Sequence, residues 1–468
     1  MSRFFVALVA SCVLAASWVG GQASTLRRVT TAETVVTASI GTFKVGTLTV
    51  SPNGRRFAYA RKEGSGFVVE VDGKVEATYK DIGPLVQPMY FDTPLGYFPG
   101  IKPMIFSGDS QHLAYGAKDG DSWFIVQDGR KGQPFKGVGG PVMSRDGSRL
   151  AYAAMVAGGW AVVLDGSPGK AYEKVGPPVF SPDGKRVAHA ARARGREMIV
   201  IDGVEGKGYD SVDTTQLGVA LAFPTMVITF PVFSADGRLG HTAKQADTWR
   251  VVIDGQESGS FNEMSDLCFS PDGARWAVSA RNDRVWTVVV DGKGQGAFDK
   301  MPILVFSPDS RRLAIATMSK DKQSVIVDGQ VVGTYEAVGV PAFNPAGNRV
   351  AFIAKTGKQW AVVVDGTMQK PYLSVGQPVF SPDGNRVAYA AALAEGRWVV
   401  VVDGVEGKEY GALLKGANVG FDDNNHLHYF MVAKERILLI EEELQTGSGT
   451  ADNSMAPARR AGADPRGD

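Results

Sequence analysis

Cysteine is nearly missing from this 468-residue chain: there are two, Cys12 and Cys268. Cys12 lies in an amino-terminal segment that reads as a secretory signal, so the mature chain would keep Cys268 alone, and an internal disulfide framework is excluded. Histidine is scarce as well, with five residues. No paired cysteine ligands, no Gly-x-Ser-x-Gly elbow and no phosphate loop occur, and the repeats described below leave no room for a hydrolase domain. The chain is therefore expected not to be an enzyme and to need no cofactor. Charge of one sign is also lacking, with 50 Lys and Arg against 49 Asp and Glu, a formal net of +1. That balance and the export signal argue against nucleic acid, whose binding needs a basic surface. After residue 23 nothing reaches the roughly 20 uninterrupted apolar residues of a spanning helix, and no stretch carries 3.6-residue periodicity.

What fills the chain is one turn used again and again. A Ser-Pro-Asp-Gly-type turn begins at Ser51, Ser107, Ser144, Ser181, Ser234, Ser270, Ser307, Asn344 and Ser381, so the spacings are 56, 37, 37, 53, 36, 37, 37 and 37. An Asp-Gly pair follows each at Asp72, Asp128, Asp165, Asp202, Asp254, Asp291, Asp328, Asp365 and Asp403. In the segment from Pro178 to Gly203, Val179-Phe180 leads into Ser181-Pro-Asp-Gly, an apolar strand begins at Arg186, and Met198 to Ile201 runs to Asp202-Gly203. Proline presets φ at the second turn position, and Asp-Gly between apolar runs signals a tight hairpin. Four short antiparallel strands in 37 residues cannot bury both faces of their own sheet and gain stability only by stacking on a neighbour. The unit is a propeller blade.

Two recurring positions invite a binding reading, and both have a plainer one. Phe67, Trp123, Trp160, Trp249, Trp286, Trp360 and Trp398 open the third strands, with Glu197 and Gln323 at the same place in two units. A ring fixed at one position of every blade reads as packing between blades. Arg56, Arg149, Arg186, Arg275, Arg312, Arg349 and Arg386 follow the turn start by five residues and read as braces to nearby Asp carboxylates.

The phrases Phe180-Ser-Pro-Asp-Gly-Lys-Arg-Val-Ala, Phe269-Ser-Pro-Asp-Gly and Phe380-Ser-Pro-Asp-Gly-Asn-Arg-Val-Ala-Tyr resemble the WD40-like (PD40) repeat of TolB-type β-propellers from about residue 43 to 442. The resemblance implies an all-β fold and a binding scaffold, because members of the group include periplasmic partner-binding proteins and propeller domains of peptidases. Ser107-Gly-Asp-Ser110 and Asn344-Pro-Ala-Gly347 depart from the motif while keeping the period.

Residues 1–23 are expected to be a signal peptide cleaved after Ala23, with a periplasmic or secreted product; Val9-Ala-Ser-Cys12 imitates a lipobox, but the apolar stretch runs on past it. Residues 24–443 are the propeller and 444–468 a disordered tail. A degenerate tenth unit, from Asn418 to Glu442, lacks a fourth strand, and Glu33 to Ser39 belongs to no blade. Donating that segment to the last blade gives about ten blades in one closed ring; two smaller propellers are the alternative. Extra residues between Tyr79 and Ser107, and between Tyr209 and Ser234, are read as inter-blade loops on the face opposite the turns. They carry Tyr90, Phe91, Tyr97, Phe98 and Phe223 as candidate partner-binding residues. Basic loops on that face add Arg192, Arg194, Lys355 and Lys358, which suit an acidic protein or, alternatively, a glycan. His426 and His428 could mimic a metal pair, but no carboxylate at fixed spacing completes a site and the bland reading is that they cap an imperfect blade.

Overall fold

The computed structural model describes residues 26–37, 44, 47–83, 103–212, 231–265, 267–319, 321–413, 419–433 and 436–446. All 46 regular elements among them are strands, gathered into ten antiparallel sheets. The fold is an all-β propeller.

Blade four shows how the turns set the geometry. Ser181 Oγ donates to Asp183 Oδ1 at 2.6 Å and accepts from Arg186 N at 2.9 Å, while Ser181 N donates to Arg186 O at 2.9 Å. This bonding reverses the chain between Val179–Phe180 and Val187–Ala193. At the next reversal on the same end, Asp202 and Gly203 have φ of 51° and 82°, both positive as a two-residue I′ hairpin turn requires. Asp202 does a second job: its Oδ1 accepts Val187 N at 2.8 Å, tying the two turns together. Equivalent Asp-to-backbone bonds recur at Asp72, Asp128, Asp165, Asp254, Asp291, Asp328, Asp365 and Asp403.

Six sheets have five strands instead of four, and the surplus has a simple origin. In blade four Lys174–Val175 and Val179–Phe180 both pair with Val187–Ala193, one beyond the other, so they are two halves of a single inner strand. The break falls at Gly176-Pro177-Pro178, where proline has no N–H to give the ladder. The long insertions use the same break. In blade two the halves are Asp81–Ile82 and Met104–Phe106, and the ends flanking the insertion meet one residue: Gly83 N donates to Gly116 O at 2.9 Å, and Gly116 N donates to Pro103 O at 3.3 Å. In blade five Ser211 bridges Lys244 before the insertion, and Val232–Phe233 resumes beside Leu239–Gln245 after it. The inter-blade reading of these insertions is thereby corrected. Each interrupts an inner strand after its blade has begun, because the pairing of the preceding residues already belongs to the new sheet.

Cores form between blades. Ala58, Ala60 and Val69 of blade one pack with Tyr115, Ala117 and Val126 of blade two, and every later neighbouring pair shares such a cluster. The series also links last to first, through Phe57 and Tyr59 against Phe430, Ile437 and Leu439. The small residues and single aromatics of the second strands give each sheet one face for either neighbour. Five blades present a Tyr, Tyr59, Tyr115, Tyr152, Tyr389 and Tyr429, each no more than 2 % exposed. Ring pairs such as Tyr372–Tyr389 and Tyr410–Tyr429 meet edge-on, a geometry adding about 0.5–1.5 kcal/mol beyond area burial.

The missing fourth strand of blade ten comes from the other end of the chain. Leu26–Thr37 runs antiparallel to Arg436–Thr446, with Leu26 opposite Thr446 and Val35 opposite Leu438. It begins seven residues before the expected Glu33, because its partner strand continues through Thr446, three residues past Glu443, while Ala38 and Ser39 lie outside the described residues. Leu444, assigned from sequence to the tail, is 3 % exposed in the blade core.

Candidate functional site

Tyr90, Phe91, Tyr97, Phe98 and Phe223 lie outside the described residues. The anchors of their insertions are placed, and one anchor was not anticipated. Glu197, standing where most blades have an aromatic, is buried, and its Oε2 accepts Ser211 Oγ at 3.1 Å and Val212 N at 2.9 Å. A buried carboxylate holding two donors is a firm attachment. It fixes the last residue before the blade-five insertion. Gln323, the other exception, likewise accepts Val338 N at 2.7 Å. The sequence signal was the loss of the ring itself, since a polar residue in a packing position needs a partner.

The basic candidates are distributed between two blades. Arg192 Nε lies 3.7 Å from Glu173 Oε2, and Arg194, at a hairpin tip with φ 52°, donates its backbone N to Glu173 Oε1 at 2.7 Å. Lys355 Nζ stands 5.8 Å above the Trp360 ring, and Lys358 is exposed at the next hairpin tip. Blades four and eight are not neighbours in the series, so the four cations do not form one patch. Lys118 over Trp123 and Arg281 over Trp286 repeat the Lys355 arrangement, which makes it a feature of the blade.

The turn arginines do more than brace their own blade. Arg349 Nε donates to Asp365 Oδ2 at 2.8 Å, and its Nη1 reaches the next blade at Gly384 O (3.1 Å) and Asn385 O (2.8 Å). Its guanidinium carbon sits 5.4 Å above Phe380, also of the next blade. Arg56, Arg149, Arg186, Arg238, Arg275 and Arg312 stack in the same way on Phe106, Phe180, Phe233, Phe269, Phe306 and Phe343. The Ser hydroxyls hold the turn carboxylates Asp183, Asp236, Asp272 and Asp309 below the ordinary carboxylate range, and Asp146, bonded to Ser144 and Ser148, is brought to about 2. Hence these five carboxylates stay ionised at any physiological pH.

The histidines divide into two sets. His189, buried, and His241, half-buried, stand at the second-strand position that six other blades fill with Tyr or Phe, each edge-on to a tyrosine, and desolvation lowers their pKa, that of His241 to about 4. His426 and His428 face the first blade. His426 Nδ1 is 2.8 Å from Asp423 Oδ2; His428 Nδ1 is 3.0 Å from Asp422 Oδ1, an ion-pair distance that is off line for a hydrogen bond. Among the described residues no group of three or more His, Cys, Asp or Glu side chains could hold a metal ion. His428 instead fills space: a Cβ on Gly54, in the blade-one turn, would lie 1.7 Å from its Nε2.

The repeated unit is a propeller blade of four antiparallel strands joined by the two turns described above. No family model and no curated protein matches the chain. Solved structures do. The chain is similar to TolB from Acinetobacter baumannii, at 13 % identity over 66 % of this chain and 77 % of that one with a TM-score of 0.28. It is similar to the β-propeller domain of the Trilobed protease from Pyrococcus furiosus (14 %, 58 % and 94 %, TM-score 0.30) and to the dihydro-heme d1 dehydrogenase NirN (17 %, 69 % and 77 %, TM-score 0.32). At such scores the fold assignment rests on the sheets themselves. No helix among the described residues is long and apolar enough to cross a membrane.

Proposed function

We propose that this chain is an exported, non-enzymatic propeller scaffold that binds a protein partner at the cell envelope. The observation carrying the reading is the place of the two insertions. Each leaves and rejoins an inner strand, the edge of the blade nearest the axis, and the first does so at a single residue, Gly116. A rigid frame that presents long segments at fixed points is the usual setting for recognition. The first insertion carries Tyr90, Phe91, Tyr97 and Phe98 and the second Phe223, side chains suited to the buried centre of an interface.

Regular blades cross the same break in a few residues, so removing Leu85 to Gly100 should leave the fold standing. The deletion is expected to lose a partner from crosslinked capture in envelope extract without lowering the melting temperature. An unchanged partner set would remove the insertion from the account. A glycan-binding reading is favoured by the exposed hairpin tips at Arg194 and Lys358. Retention on an acidic polysaccharide that vanishes when Arg192, Arg194 and Lys355 are changed to Ala would select it.

A further inference from the structure

The ten turns are alike in one backbone bond, in which the N–H of the first residue donates to the carbonyl of the residue that closes the turn. That closing residue is Arg in eight turns and His in two, His112 and His426. At the His112 turn the space is taken: a Cβ on Gly147 of the next blade would meet the His112 ring at 2.3 Å, and the Arg145 side chain crosses Gly108. The His426 turn differs. Asp422 N donates to His426 O at 3.0 Å, so His426 holds the arginine position by register, and Val50 stands in blade one where the arginine seams have Phe. The shorter side chain leaves a cavity of about 260 Å³ between blade ten, the amino-terminal strand and blade one.

One wall is the blade-one turn, whose counterpart in other blades holds a guanidinium. Arg55 lines one side, and the carbonyls of Gly54 and Arg55 correspond to those of Gly384 and Asn385 that Arg349 engages. Of the four carboxylates around the cavity, Asp422 faces His428, Asp423 is held by His426 and Glu442 by Arg28. Glu441 has no ion-pair partner among the described residues. Leu427 adds an apolar wall.

We propose that this cavity receives the guanidinium of an arginine side chain supplied by a protein partner, completing from outside the reach to next-blade carbonyls that the chain's own arginines make at six other turns. A planar group with several fixed donors suits a carboxylate beside backbone carbonyls better than a compact ammonium does. The proposal rests on the protein-binding reading above and locates one contact of that partner on the turn face, away from the insertions.

The test titrates the full mature chain with Nα-acetylarginine amide and with the matching lysine amide, following binding by calorimetry. Saturable binding of the arginine compound, weaker for lysine, is expected. Glu441→Gln should weaken it about tenfold, the worth of one charge-assisted hydrogen bond. His426→Arg should abolish it while holding or raising the melting temperature, because the new side chain is the one eight other turns already carry. Failure of the arginine amide to saturate, or equal binding by His426→Arg, overturns the proposal. Binding of the small compound with no partner lost from crosslinked capture in His426→Arg overturns its assignment to a protein ligand. If that variant keeps its partners while the Leu85 to Gly100 deletion loses them, the scaffold reading survives and the cavity does not.

Discussion

Arg28, in the first strand, donates from Nε to Glu442, in the last, at 2.9 Å, and the two side chains are 6 % and 2 % exposed. The same guanidinium reaches Val405 O of blade nine at 3.0 Å, and Glu442 Oε1 accepts from Tyr429 OH at 2.6 Å. One side chain thus joins the amino-terminal strand, the carboxy-terminal strand and the preceding blade. A buried pair of this kind is weak as net stabilisation, but removing one partner strands the other charge.

Arg28→Ala should therefore destabilise the protein by about 3–5 kcal/mol, with Arg28→Met combined with Glu442→Leu distinctly milder. Truncating the chain to begin at Thr42 removes the whole strand and exposes an edge in blade ten. A lower melting temperature and aggregation should follow. Calorimetric melting and light scattering decide, and a truncated chain as stable and monomeric as its parent would refute the clasp.

Acid should loosen blades three to five first. His189 and His241 are held neutral by burial, so the unfolded chain takes up their protons first as pH falls. For His241 the affected window runs from the ordinary 6.5 down to about 4, and stability declines across it as pH drops. Glu257, which lies beside this histidine and is brought to about 2 chiefly by Lys207, keeps its contribution down to about its ordinary 4.5 and begins to lose it only at the acid end of that window. Melting temperature measured from pH 7 to pH 4 should show the slope. His241→Phe, which copies the Phe352 ring of blade eight, should flatten it, and an unchanged slope would count against the assignment.

The seam between the last and first blades should not tolerate a methyl group. Gly54 has φ 70° and faces the His428 ring, whereas Gly64, φ 58°, faces open space. Both alanine variants share the backbone strain, so the difference between them isolates the clash. Gly54→Ala is expected to cost roughly 1–3 kcal/mol more than Gly64→Ala in denaturant unfolding. Equal costs would mean that His428 can swing away from the seam.

Arg349→Lys keeps the charge of a turn arginine and loses its fork and its stacking on Phe380. A loss of about 1–2 kcal/mol is expected, with faster hydrogen exchange at the blade-eight and blade-nine turns. Lys358→Ala, at an exposed hairpin tip, serves as the control and should leave stability nearly unchanged. Comparable effects of the two changes would deny the inter-blade role.

The turns, the period, the strand order and the ring positions were legible in the sequence because each depends on bonds within one unit. Asp202, for example, needs only Gly203 after it and Val187 across from it. The braces were legible in part: the sequence paired arginines with nearby Asp residues and missed that each also grips the next blade, since Gly384 and Phe380 belong to another repeat. The insertions were counted correctly and placed wrongly, because pairing of Asp81 with Lys118 is a contact that spacing does not reveal. His426 escaped notice as an arginine substitute for a related reason: the last turn is one residue shorter than most, and only the bond from Asp422 N to His426 O restores its register.

The sequence by itself therefore determined the blade, the number of units and the small residues and rings that let blades stack. Tertiary structure alone decided the register in which the ends meet, which carboxylates and cations share a seam, where the inner strands open and where space is left over. The division has a physical cause. Turn and strand preferences act over a few residues and are written in every copy, whereas a seam joins residues as far apart as Arg28 and Glu442, and no local pattern encodes the space between them.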